Sequence, residues 1–170
     1  MKRNIFLIFS IVFLACSDGD LQIETLDFDS VNVQNCGTLN SSTEIFFKIN
    51  GDEALILDLP SGDLNNGNSV TDTTTTESTI PSQSQLTYRI FSDNVSSSYF
   101  CDDIPPSTPT VIEEIDAQEG LVIIKSIANS DSTAINHIIE LSGITLINSN
   151  GERITDLSIN EFGELNIPSN

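Results

Sequence analysis

The chain is short of basic charge, has one histidine, and has no apolar run long enough to cross a bilayer. Six Lys and Arg stand against 25 Asp and Glu, and two of the six, Lys2 and Arg3, lie at the very start. Beyond residue 15 only Lys48, Arg89, Lys125 and Arg153 remain, and four against 25 leaves a net charge of −21. A surface of that sign repels nucleic acid and anionic lipid. It suits solubility, cation binding or a basic partner. His137 heads an apolar run with no second histidine anywhere, so a satisfied structural role is expected for it rather than metal ligation or proton transfer. No Gly-x-Ser-x-Gly elbow is present. The pair Cys36 and Cys101 lacks the four ligands of a structural zinc site, and the spacing shows no Cys-x-x-Cys. No catalytic residues, resident metal or cofactor are therefore expected. Alanine is scarce after residue 15 (Ala54, Ala117, Ala128 and Ala134), and no stretch sustains a 3.6-residue period. Ile, Thr, Ser, Asn and Asp dominate instead, the residues of pleated strands and turns.

What is present at the N-terminus sets the cellular context. Lys2 and Arg3 precede an apolar run, Ile5 to Leu14, broken only by Ser10. A span of about 30 Å needs roughly 20 apolar residues, whereas a basic start with a 7–15-residue apolar core is a secretory signal. The run ends Leu14-Ala15-Cys16, followed by Ser17-Asp18-Gly19-Asp20. Leu-Ala-Cys in this position resembles the lipobox of bacterial lipoproteins. The resemblance implies cleavage before Cys16, with residues 1–15 removed as the signal peptide, and diacylglyceryl and palmitate-type acylation of Cys16. Several acyl chains, at about 0.8 kcal/mol per buried CH₂, anchor firmly. Residues 16–20 then form a lipidated acidic tether and 21–170 a β domain. With a first strand at Leu21, the fold is expected within roughly 15 Å of the bilayer.

The remaining chain reads as short strands separated by turns. Leu21 to Phe28 is a strand candidate with a bulge near Glu24-Thr25. Glu44 to Ile49 and Ala54 to Leu59 flank Asn50-Gly51-Asp52-Glu53, a hairpin pattern, with Leu55, Leu57 and Leu59 inward and Pro60 as terminator. Residues 61–84 are the low-complexity segment, read as a long polar loop with room for one short edge strand. Gln85 to Phe91 follows, with Leu86, Tyr88 and Ile90 on one face. Tyr99-Phe100-Cys101 is a short strand or turn. Three prolines make 102–110 a stiff connection. Thr110 to Ala117, Gly120 to Ala128 and His137 to Asn148 are strands, with Gln118-Glu119-Gly120 and 149–152 as turns. Leu121, Ile123 and Ile127 form one alternating set, and Ile139, Leu141 and Ile147 another. Leu157 to Ile167 closes the chain with a bend at Phe162-Gly163. Seven to nine such strands predict an all-β antiparallel sandwich or flattened barrel.

A protein exported in this way matures where disulfides persist, so Cys36 and Cys101, the cysteines left once Cys16 is lipidated, are expected to pair. Acidic side chains that could bind calcium are Asp18 with Asp20, Asp63 with Asn65, and Asp102 with Asp103. The stretch from Asp63 imitates an EF-hand loop but fails it, with Asn68 where glycine is required and Thr74 where the bidentate Glu belongs. Plain turns are the expected structure there.

Cys16-Ser17-Asp18-Gly19-Asp20 also resembles the acidic export tag of Bacteroidota lipoproteins, although Gly19 interrupts the acidic run. The resemblance implies that Ser17, Asp18 and Asp20 address the protein to the outer face of the outer membrane. The wider chain is similar to uncharacterised flavobacterial lipoproteins through residues 21–29, Tyr88-Arg89-Ile90, Ile104-Pro105-Pro106 and residues 109–114. That likeness brings no activity with it. Bacteroidota O-glycosylation patterns (Asp, then Ser or Thr, then a small or apolar residue) fit Ser30, Thr73 and Ser132. The expectation is a monomeric, lipid-anchored, non-enzymatic binding or structural protein of the cell surface, with an envelope protein or glycan as partner. A calcium-dependent adhesion or glycan-binding module and an envelope hydrolase are the alternatives.

Overall fold

The computed structural model describes residues 26–151, 153–154 and 160–169. Among these, eight strands form one antiparallel sheet: β1 (Ile45–Asn50), β2 (Glu53–Asp58), β3 (Thr74–Ile80), β4 (Gln85–Phe91), β5 (Val111–Ala128), β6 (Ala134–Ile147), β7 (Arg153–Ile154) and β8 (Glu161–Pro168). A 3-10 turn (Asp63–Asn65) and one turn of helix, α1 (Ser98–Cys101), complete the elements. The order is β1-β2-β4-β5-β6, with β3 added to β5 and β7 and β8 added to β6.

The 18-residue β5 makes this a sandwich-like fold. Its first half pairs with β4, at Glu113 to Asp116, and its second half with β3, from Gly120 to Ser126. One long strand thus belongs to both layers. Between the halves the β5–β6 register shifts twice, between Ala117 and Glu119 and between Glu119 and Leu121. Bulges of this kind bend a strand and raise its twist. Gln118-Glu119-Gly120 is therefore a corner within one strand, not the expected turn between two. Gly120 fits there because a Cβ would come within 2.5 Å of Ile144 Cδ1.

Leu55, Leu57, Leu86, Tyr88, Ile115, Val122, Ile124, Ile139, Leu141 and Phe162 fill the main core between the layers. The buried face of β5 differs from the expected one: Val122, Ile124, Ser126 and Ala128 are inside, and Leu121, Ile123 and Ile127 are half-buried on the other side. On β6, Ile139 and Leu141 point inward as expected, but Ile147 is 42% exposed and Leu146 takes its place. The register step between Ser142 and Thr145 adds one residue to β6 and reverses its alternation.

The β1–β2 hairpin turns on Gly51-Asp52, with Asn50 paired to Glu53. Within residues 61–84 the one edge strand the sequence left room for is β3, seven residues long and paired with β5. Of the strand or turn expected at Tyr99-Phe100-Cys101, the structure has the turn, as the single helical turn α1. Phe162-Gly163 does not bend the chain out of β8; the β6–β8 register shifts there instead.

The sheet does not close into a barrel. β1 pairs with β2 and β8 with β6, leaving a seam between these two edge strands. Residues 26–34 lie along that seam as a strap. Gln34 exchanges backbone hydrogen bonds with Phe47 of β1, at 2.8 and 2.9 Å. On the other side Val33 packs so closely against β8 that a Cβ on Gly163 would meet its side chain at 2.7 Å. Leu26 and Phe28 plug the core beneath, and the Phe28 ring meets Tyr88 edge-on at 6.3 Å. Leu26 to Phe28 are thus core plugs outside any strand, and Leu21 to Thr25, with the expected bulge, lie outside the described residues.

Candidate functional site

The seam contains a cavity of about 610 Å³, within the usual range for small-ligand sites. Asp29, Asn32 and Val33 line it from the strap, Lys48 from β1, and Glu161 and Glu164 from β8. Local periodicity puts Lys48 there. Phe46 and Lys48 share one face of β1, so the face that buries a phenyl ring also carries the ammonium inward. Lys48 is 3% exposed. Its Nζ stands 5.9 Å from the Phe162 ring centroid, a weak cation–π contact. Arg89 and Lys125 have carboxylate partners in Glu114 and Glu140. Lys48, by contrast, makes no hydrogen bond or ion pair with any described residue. Burial pushes its pKa below the ordinary lysine value, against the opposing pull of Asp29, Glu161 and Asp27.

The stem of Lys48 is buried while its ammonium opens to the cavity, its three donors meeting no acceptor among the described residues. The cavity beside it holds three carboxylates, none close enough to pair, so an acceptor of suitable length could fill the gap. This residue was missed in the sequence. The only signal was its place in Glu44-Ile45-Phe46-Phe47-Lys48-Ile49, a charge on the same parity as a phenylalanine.

A smaller aromatic cluster lies on the outer face of β1, β2 and β4. Ala54, Phe91 and Val95 are buried there under Ile49, Tyr99 and Phe100. Phe47 stacks on Phe100 with centroids 4.5 Å apart. The Sγ atoms of Cys36 and Cys101 are 2.01 Å apart, at disulfide distance, and tie α1 to the strap that leads into β1.

His137 is fully buried on β6, opposite Ser126 of β5. Its Nδ1 lies 2.7 Å from Ser126 Oγ, and its Nε2 has no partner among the described residues. This Ser–His pair has no carboxylate beside it, and both side chains are sealed in the core, so it has the spacing of a nucleophile pair without access. Burial pushes the His137 pKa below the ordinary histidine value. The folded state thus holds the ring neutral while the unfolded chain protonates near pH 6.5. A depressed folded pKa means this stability is present above pH 6.5 and lost as pH falls. As pH falls below 6.5, the wild type should lose stability relative to His137→Gln. Urea midpoints of the two proteins across that range check this. Asp58 and Asp63, whose pKa values burial raises, are common to both and cancel in the comparison. Parallel pH profiles would contradict it.

The other expected residues are scattered. Cys16, Ser17, Asp18 and Asp20 lie outside the described residues. Ser30, Thr73 and Ser132 are exposed, in the strap, before β3 and in the β5–β6 turn. Asp63 and Asn65 end the 3-10 turn, and Asp102 and Asp103 are exposed after α1. Among the described residues no three His, Cys, Asp or Glu side chains converge as a metal site. Compared with protein-family models, curated proteins and solved structures, the chain matches none.

Proposed function

We propose that this chain is a lipid-anchored protein of the outer cell envelope whose β domain binds a small ligand, without catalysis, in the cavity between β1 and β8. The observation that carries the binding role is Lys48, a residue buried in the seam whose ammonium, without a partner among the described residues, faces an open cavity. Evolution of a stable core alone favours an apolar residue there, because an unpaired buried charge costs stability. Anchoring rests on the apolar run and Leu14-Ala15-Cys16. The outward address rests on Ser17, Asp18 and Asp20, since carboxylates beside an anionic bilayer surface gain nothing from it.

Cell fractionation and protease treatment of intact cells test the anchored part. Wild type should sediment with outer membranes and be digested from outside. Cys16→Ser should leave an uncleaved or soluble product, and Asp18→Ala with Asp20→Ala should turn a digested protein into a protected one. A Cys16→Ser protein that still sediments at the wild-type processed mass would refute lipidation. Unchanged digestion of the double alanine variant would refute the address.

A further inference from the structure

The charges around Lys48 restrict what the cavity can hold, and the argument rests on the binding role just proposed. Four ionisable groups line it: one ammonium, from Lys48, and three carboxylates, from Asp29, Glu161 and Glu164. Among the described residues no carboxylate comes within 4 Å of the Lys48 Nζ, the ion-pairing limit. Positive and negative charge are therefore held apart across a cavity of about 610 Å³.

A simple anion reaching Lys48 would have to pass three carboxylates within a molecule already strongly negative. A simple cation would suit the carboxylates and leave the ammonium unsatisfied and facing a like charge. The site lacks three converging acidic ligands for a metal ion. A neutral sugar would need an open aromatic face for its C–H surface. Among the described residues the one ring lining this cavity, Phe162, is fully buried. A ligand with both charges, separated by a few ångströms, satisfies every group at once. Its carboxylate supplies the acceptors that the Lys48 Nζ lacks, and its ammonium sits among the carboxylates. Charge-assisted hydrogen bonds at both ends would be the strong contacts.

We propose that the seam cavity binds a small zwitterion of amino-acid or dipeptide size, its carboxylate on Lys48 Nζ and its ammonium among Asp29, Glu161 and Glu164.

Isothermal titration at low salt can decide this with six probes: γ-aminobutyrate, 5-aminovalerate and glycylglycine as zwitterions, butyrate as the acid alone, butylamine as the amine alone, and glucose as a polyol. At least one zwitterion should bind at least tenfold more tightly than butyrate, butylamine and glucose. Lys48→Met should weaken that zwitterion at least tenfold while melting no lower than wild type, because it removes an unpaired buried charge. Glu161→Gln should weaken it by a smaller factor and leave butyrate unchanged or improved. If butyrate, butylamine or glucose binds best and Lys48→Met abolishes it, the cavity is a binding site and the zwitterion assignment is overturned. If no probe shows Lys48-dependent binding, the zwitterion assignment and the binding role both fall. Should Lys48→Met melt lower than wild type, Lys48→Gln supplies the same comparison with a neutral polar group.

Discussion

Replacing Cys36 and Cys101 together by alanine is expected to lower the unfolding free energy by about 4 kcal/mol. The two cysteines are 65 residues apart in sequence, and a cross-link of that span removes about this much chain entropy from the unfolded state. The bridge also fixes α1, whose Tyr99 and Phe100 cover the outer aromatic cluster. The lost entropy should therefore be accompanied by fraying of this cover, visible as faster amide exchange in residues 98–101. Urea unfolding of wild type and the double variant, both unreduced, gives the free-energy difference. A loss below about 1 kcal/mol would mean that the pairing contributes little to the fold. In a Cys16→Ser background, denatured but unreduced protein should show no reactive thiol; two per chain would refute the bridge outright.

Phe28→Ala should cost about 3–5 kcal/mol, the range for truncating a fully buried phenylalanine. Phe28 belongs to no strand, yet it is completely buried and meets Tyr88 edge-on. It holds the strap over the seam, together with Leu26 and with Asn50, whose Nδ2 donates to the Asp27 carbonyl at 2.7 Å. Substituting the neighbouring exposed Ser30 should change stability by no more than about 0.5 kcal/mol. Urea midpoints of the two variants check the contrast. Equal, small effects would show that residues 26–34 are a peripheral segment and that the wall of the cavity is not fixed by the core. A large Phe28 effect together with weakened ligand binding would tie the cavity to the strap that forms one side of it.

Both variants concern features that the sequence revealed unevenly. Cysteine number and the export expected from the N-terminal residues pointed to the Cys36–Cys101 pair, because pairing depends on compartment and count more than on local conformation. Asn50-Gly51-Asp52-Glu53 marked its hairpin because turn chemistry is local: the residues that permit the turn are the turn. Leu55, Leu57, Leu86 and Tyr88 were assigned to the right face because polar residues separate them from the opposite one. The antiparallel all-β class followed from β-branched composition and regular turn spacing.

Other features depended on contacts that no local window contains. In Leu121-Val122-Ile123-Ile124 both parities are apolar, so alternation could not choose a face. Coverage by the other layer chose Val122 and Ile124, and put Ser126 against His137 in the core. Gln118-Glu119-Gly120 has turn composition, but pairing with β6 on one edge holds both flanks in a single bent strand. Leu26 and Phe28 looked like strand residues, and only the gap left between β1 and β8 made them plugs. Lys48 shows this dependence most clearly. The sequence determined that a lysine shares a face of β1 with Phe46. Tertiary structure alone decided that β8 and the strap would enclose that face, leave the ammonium without a partner among the described residues, and set three carboxylates across a cavity from it.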